Sequence, residues 1–171
     1  DVDTIFSDDG AMKTFLKAKE EGKTRFLGFS AHSVEAALEL MKRFDFDTVM
    51  FPLNFASWHA GNFGPQILEM AKSKNMGIIA LKSMAKCPWV KGAERTVKKV
   101  WYEPLATPEE ALKGIRFTLS HPITCAIPPG NEELFSMALK LALNFKPLSP
   151  LETLEIKRKG LETTPLFKFP A

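Results

Sequence analysis

The strongest constraint on the fold is a unit that the sequence repeats four times. Each unit has a short apolar, β-prone run, then a few small or polar residues, then a stretch with helical periodicity. The four predicted strands cover residues 25–29, 48–51, 78–81 and 124–127. Strands that are separated by helices pair in parallel through right-handed crossovers. The pattern therefore predicts an α/β fold with about four parallel βα units and a C-terminal helix.

Helical segments with typical capping residues fill the spaces between these strands. Ser33 and Asn131 are favourable N-caps, and Thr107 followed by Glu110 predicts a capping box. The predicted helices cover residues 11–21, 34–43, 65–74, 108–120, 132–144 and 151–159. The remaining internal segments, 53–64 and 82–105, have no clear periodicity and are predicted as loops.

The length decides how much of a barrel the chain can form. A complete (β/α)8 barrel needs about 250 residues, and this chain has 171. Four βα units therefore predict a partial (β/α)8 TIM barrel, or a small doubly wound sheet, in a single domain over residues 1–171. Because the sequence does not begin with Met and opens with loop-like residues, we expect a fragment of a longer protein.

Composition makes several functional classes poor candidates. No run approaches the ~18 consecutive apolar residues of a membrane span, and a net charge of +3 without clustered arginine is unlike a nucleic-acid interface. We therefore expect neither a membrane nor a nucleic acid as partner, and a cytoplasmic location. Cys87 and Cys125 are far apart in the sequence, so we expect two buried free thiols and no metal site.

The four strand ends resemble those of the aldo-keto reductases, in the order in which that family has them. GKTRFLGFSAHS (22–33) resembles the family's fifth strand, and DFDTVMFPLNF (45–55) resembles the sixth. MGIIALKSMAK (76–86) resembles the seventh, and TPEEALKGIRFTLSHPITCAIPPGNEEL (107–134) resembles the seventh helix with the eighth strand. The resemblance covers about residues 11–145 and implies the C-terminal half of the barrel.

The resemblance implies half of an oxidoreductase. Aldo-keto reductases transfer hydride between NAD(P)H and a carbonyl or alcohol, with an Asp, Tyr, Lys and His on the first four barrel strands. None of the histidines, His32, His59 and His121, matches the catalytic one. The implied chain lacks the N-terminal half and the catalytic tetrad, supplies the binding half for NADP or NAD, and is inactive by itself. A small carbonyl compound would be the substrate of the parent enzyme.

By position, the resemblance assigns cofactor contacts to residues that follow each strand. Ser30 matches the serine that would hydrogen-bond the nicotinamide carboxamide, and Asn54 matches an asparagine after the sixth strand. The other matches are Lys82, Ser83 and Met84 in the pyrophosphate loop, and Pro128 and Gly130 after the eighth strand. Lys82 would meet a phosphate as a point charge.

The chain departs from the family pattern at several of these strand ends. Ala31 stands where the family has Asn, and Met50 stands where it has Gln, so two polar contacts are lost. Leu53 replaces a Tyr, and Leu81 occupies the position of an aromatic residue that often stacks on the nicotinamide. Phe135 lies where an arginine usually binds the 2′-phosphate, which implies either weak selectivity for NADP over NAD or a different way of binding that phosphate.

Two other interpretations stay open from the sequence. One is a short protein that binds a nucleotide or phosphate without catalysis. The other is a half-barrel that associates with a second copy, because an open sheet leaves two unpaired edges and an uncovered apolar face. Trp89, Trp101 and Tyr102 either line a ligand cleft or pack a long loop.

Overall fold

A parallel sheet forms the centre of the computed structural model, which describes residues 2–170. Its strands are β1 (Gly28–Ser30), β2 (Thr48–Pro52), β3 (Gly77–Leu81) and β6 (Cys125–Ala126), and they pair in that order. A second, antiparallel pair consists of β4 (Ala85–Pro88) and β5 (Tyr102–Pro104). The prediction of four parallel strands in a partial barrel is confirmed.

Helices connect these strands and cover one face of the central sheet. They are α1 (Val2–Phe6), α2 (Ala11–Glu20), α3 (Val34–Arg43), α4 (Phe55–His59), α5 (Pro65–Ser73), α6 (Pro108–Leu119), α7 (Glu132–Ala142) and α8 (Pro150–Glu162). Within residues 2–170 no helix has the length and apolar character that a membrane crossing requires.

The predicted caps are present, with one correction. The side chains of Ser33 and Asn131 accept hydrogen bonds from backbone N–H groups in the first turns of α3 and α7. Thr107 caps α6 in the same way, but Glu110 contacts Lys159 rather than closing a capping box. The complete box lies at the start of α8, where the Ser149 hydroxyl and the Glu152 carboxylate each accept from the other residue's backbone.

Three elements were not predicted, namely α1, α4 and the β4–β5 hairpin. They lie in segments whose sequence has no clear hydrophobic periodicity. Helix α4 has only five residues, and the two hairpin strands are far apart along the chain. The first strand also begins later than predicted, at Gly28, and leaves Phe26 exposed. A Cβ at Gly28 would lie 1.9 Å from Thr48 Oγ1, so glycine permits the close approach of β1 to β2.

The central sheet has one buried face and one open face. Across the sheet, Ser30 pairs with Met50, Met50 pairs with Ile79, and Ile79 pairs with Cys125. These positions are half-buried or exposed, whereas the alternate residues of β2 and β3 are buried, as expected when successive side chains point to opposite faces. The prediction that both thiols are buried is wrong, because Cys125 is exposed on the open face.

A partly buried cluster of aromatic and histidine rings packs α4 against α6 and the turn that follows it. The ring centroids of His121 and His59 lie 4.7 Å and 5.5 Å from that of Phe117, and His121 Nδ1 lies 2.8 Å from the Phe117 carbonyl oxygen. Burial lowers the pKa of both imidazoles below 6.5. Burial therefore favours the neutral form of both rings in the folded protein.

These histidines predict a loss of stability in mild acid. Below pH 6.5 the unfolded chain takes up protons that the folded cluster resists, so the free energy of unfolding decreases as pH falls, by up to about 1.4 kcal/mol per pH unit for each histidine. Urea unfolding at pH 7.5 and pH 5.5 measures this change. We expect this decrease in stability to be smaller in the His121→Gln variant. An equal pH dependence in the variant would show that His121 does not cause the decrease.

Candidate functional site

The candidate site is a cleft at the carboxyl ends of β3 and β6, with a volume of about 160 Å³. Its lining is Leu81, Lys82, Lys99, Val100, Trp101, Tyr102, Ile127, Pro128, Pro129 and Gly130. The carboxyl ends of parallel strands are where ligands bind in βα-repeat folds. A larger, more open groove of about 640 Å³ lies between α7 and the start of α6, but Glu132 and Glu133 line it and it is unsuited to an anion.

Lys82 is the central charged group of this cleft. Its backbone lies in the left-handed region, at φ 67°. Its Nζ lies 5.3 Å from the ring centroid of Trp101 and 5.2 Å from that of Tyr102, so two aromatic faces contact the ammonium. Burial lowers the pKa of Lys82, and no carboxylate among the described residues opposes that effect. The cleft therefore carries a positive group without an acidic partner.

His32 is close enough to Lys82 for their charges to interact. Burial, followed by the charge of Lys82, lowers the pKa of His32. The imidazole also stacks on Phe167, with 5.1 Å between the ring centroids. Lys82 therefore favours the neutral form of His32.

The C-terminal tail crosses the ends of the strands and supports this cleft. The ring centroid of Phe167 lies 5.3 Å from that of Phe63 and 6.0 Å from that of Trp101. The backbone N–H of Phe169 donates to the Gly61 carbonyl over 2.8 Å. Phe167 was not predicted as a site residue, because the sequence of the tail has no periodicity. The two phenylalanines in FKF (167–169) are the signal that this segment offers.

The structure brings three of the predicted site residues together, and these are Lys82, Pro128 and Gly130. Ser30 is exposed at the end of β1, which is separated from β3 by β2. The side chains of Ser83 and Met84 are buried below the cleft. Ser83 and Met84 could therefore offer a ligand only their backbone carbonyl and N–H groups.

Asn54 is buried at the end of β2, with 1% of its surface exposed. Its Oδ1 accepts from the backbone N–H of Ser57 over 3.0 Å and so caps α4. Its Nδ2 is also buried and has no acceptor among the described residues. That unpaired donor keeps Asn54 as a candidate for binding a small polar group.

The loop after β6 meets the start of α7, where negative charge is concentrated. Asn131 caps the helix, and Glu132 and Glu133 occupy its first turn. Lys99 forms an ion pair with Glu132 at the entrance of the cleft. Phe135, at the position of the expected arginine, is 44% exposed. This end of the site therefore offers a phosphate little positive charge besides Lys82 and Lys99.

Helix α6 supports the residues below Lys82. A Cβ on Gly114 would lie 2.6 Å from the Ser83 carbonyl oxygen and 2.5 Å from Leu105 Cδ1. One turn later, the buried Thr118 hydroxyl donates to the Leu53 carbonyl over 2.9 Å. The helix therefore contacts the segments that follow both β2 and β3.

Comparison with known proteins gives matches in structure but not in sequence. No family model and no curated protein matches the chain. The aldo-keto reductase AKR11C1 from Bacillus halodurans (holo form) matches with a TM-score of 0.59 and 13% identity, over 88% of this chain and 53% of that chain. An aldo-keto reductase from Klebsiella pneumoniae, in complex with NADPH, matches with a TM-score of 0.58 and 19% identity, over 92% and 55%.

A third match is the glycerol dehydrogenase AKR11B4 from Gluconobacter oxydans, with a TM-score of 0.56 and 16% identity, over 95% of this chain and 57% of that chain. This chain thus spans about half the length of each matched structure. The resemblance inferred from the strand ends is confirmed at the level of the fold. The described residues have the fold of about half of an aldo-keto reductase barrel.

Proposed function

We propose that this chain is the cofactor-binding part of an NAD(P)H-dependent oxidoreductase of the aldo-keto reductase type. The observation that carries the proposal is the half-buried Lys82 in a cleft at the strand ends, at the position of the family's pyrophosphate loop. The shared fold and the NADPH-bound structure from Klebsiella pneumoniae support it. The cofactor would supply hydride to a small carbonyl compound.

The exposed groups at the strand ends fit part of a dinucleotide. A cleft of about 160 Å³ is smaller than the roughly 300–1,000 Å³ of sites that enclose a whole ligand. It would therefore hold the pyrophosphate, with Lys82 as the cation, while the Ser30 hydroxyl would bind the nicotinamide carboxamide. With Phe135 in place of an arginine, NADP and NAD would bind with similar affinity.

We expect a Lys82→Met substitution to weaken NADPH binding by roughly tenfold, because a partly buried cation that meets a phosphate contributes more than a surface ion pair. Fluorescence titration of NADPH with the 171-residue chain measures this. Lys72→Met is the matched control, since Lys72 is an exposed lysine on α5. Equal affinities for the two variants, or no binding by the unmodified chain, would overturn the proposal.

Catalysis is expected to need residues outside this chain. The resemblance assigns the family's Asp, Tyr, Lys and His to strands that precede the match, and the Tyr would be the general acid. We therefore expect the chain to bind NADPH without oxidising it in the presence of a carbonyl substrate such as glyceraldehyde. Steady NADPH consumption that follows the chain through purification would contradict this.

The open face of the sheet favours a second candidate, self-association as a half-barrel. Met50, Ile79 and Leu81 are half-buried there, and Ile127 is 41% exposed. Covering this face would remove apolar surface from water. A dimer in sedimentation velocity that Ile79→Asp converts to a monomer would support this candidate, and a monomer at all concentrations would refute it.

A further inference from the structure

We propose that the outer face of α8 binds the same face of a second copy of this chain, with the two α8 helices packed antiparallel about a twofold axis. The outer face consists of Leu151, Leu154, Glu155, Arg158 and Leu161, which are all exposed. None of these residues lines the cleft at the strand ends. The proposal therefore depends neither on cofactor binding nor on the open face of the sheet.

The inner face of α8 determines which of its residues point away from the protein. Ile156 and Gly160, one turn apart, are buried. A Cβ on Gly160 would lie 2.7 Å from the Phe55 carbonyl oxygen, so the backbone of α8 packs directly on α4. The Glu152 carboxylate also forms an ion pair with Arg116 of α6. Because these contacts hold α8 in one orientation, the outer face cannot turn inward and needs a partner from outside the chain to become buried.

Four residues of the outer face form a groove that has room for an apolar side chain. Its volume is about 330 Å³, and its lining is Leu151, Leu154, Glu155 and Arg158. These are positions i, i+3, i+4 and i+7 of one helix, which is the set of four residues that surrounds each knob when two helices pack knobs into holes. Leu161 follows this groove on the same face and is the exposed apolar side chain that would enter the groove of the second copy.

An antiparallel arrangement fills the groove and pairs the charges of both copies together. When Leu161 of one copy lies between Leu151 and Leu154 of the other, the helical rise brings Glu155 close to Arg158 of the second copy. Within residues 2–170, neither Glu155 nor Arg158 has an ion-pair partner. A parallel pair would instead place identical charges at the same level. The twofold axis repeats each antiparallel contact, so the face is self-complementary and the assembly closes as a dimer.

The exposed leucines drive this association, and the length of the helix limits its strength. Leu151, Leu154 and Leu161 are 57–66% exposed, so pairing removes apolar surface from water in both copies. Helix α8 has 13 residues and is about 20 Å long. The contact is therefore smaller than the roughly 1,200–2,000 Å² of stable interfaces. We expect a reversible dimer with a dissociation constant on the order of 100 µM.

The test is sedimentation equilibrium of the full chain at concentrations on both sides of this constant. We expect Leu161→Glu to abolish the dimer, because a carboxylate loses its hydration when it enters an apolar groove. Leu143→Glu is the matched control, since Leu143 is an exposed leucine that follows α7 and lies outside the outer face of α8. The control should dimerise like the unmodified chain, and circular dichroism shows whether both variants are folded.

Charge reversal tests the antiparallel orientation. Glu155→Arg and Arg158→Glu should each weaken the dimer by roughly tenfold, because each brings two pairs of like charges together, and the double variant should restore it. A monomer at every concentration would overturn the proposal, as would a dimer that Leu161→Glu leaves intact or a charge effect that the double variant does not reverse. A dimer that dissociates in Ile79→Asp but not in Leu161→Glu would overturn it too, because self-association would then involve the open face of the sheet.

Discussion

Replacing Gly114 by Ala is expected to destabilise the protein by about 2 kcal/mol, which is the opposite of what the substitution does in an ordinary helix. In an unconstrained helix interior, Ala is more favourable than Gly by about 1 kcal/mol. At this position the added Cβ would lie 2.6 Å from the Ser83 carbonyl oxygen, a backbone atom that cannot move aside alone. Overpacking of this kind costs roughly 1–3 kcal/mol or more and outweighs the gain in propensity.

Urea unfolding of the Gly114→Ala variant measures this effect. Lys113→Ala is the matched control, because Lys113 is the exposed neighbour in α6 and its substitution should change stability by less than about 0.5 kcal/mol. The variant should also bind NADPH more weakly, since displacement of Ser83 moves the adjacent Lys82. If the Gly114→Ala variant were as stable as the unmodified chain, α6 would not restrict the position of the segment around Ser83.

Replacing Thr118 by Val is expected to cost about 1–3 kcal/mol, because it leaves the buried Leu53 carbonyl without the hydroxyl that donates to it. The two side chains have nearly the same shape, so the change removes only the hydroxyl, which lies 2.9 Å from the Leu53 carbonyl oxygen and 3.2 Å from that of Gly114. Thr118 is fully buried, and water cannot replace the lost donor there. The connection between α6 and the end of β2 would therefore weaken.

Thr118→Ser separates the hydrogen bond from the packing. It keeps the hydroxyl and removes one methyl group, which is worth about 0.8 kcal/mol when buried. We therefore expect the Ser variant to unfold at a higher urea concentration than the Val variant. The reverse order would mean that the methyl group, and not the bond to Leu53, accounts for the contribution of this residue.

Much of the fold was predictable because the hydrogen bonds that begin the helices join residues close together in the sequence. Ser33 and Asn131 bond backbone groups only three residues away, so the starts of α3 and α7 follow from the nearby sequence. The β-prone runs of β2 and β3 are likewise local, and the parallel order follows from the helices between them. Lys82, Pro128 and Gly130 were predictable as neighbours because each one follows a parallel strand.

Contacts between distant segments account for what the sequence analysis did not predict. The aromatic faces on Lys82 come from Trp101 and Tyr102, which the β4–β5 hairpin brings back to the strand ends. Phe167 reaches His32 from the other end of the chain. No local pattern indicates such pairs, because the free energy that forms them comes from packing and not from backbone propensity.

Burial on each side of the sheet also depended on tertiary packing. The same alternation that buries Val49 leaves Met50 half-buried on the open face, and it leaves Cys125 exposed although its residue type is usually buried. Local sequence therefore determined where the strands and helices form and which residues end them. Tertiary structure determined which of those residues face solvent and which charges meet, because burial and desolvation depend on neighbours that are remote along the chain.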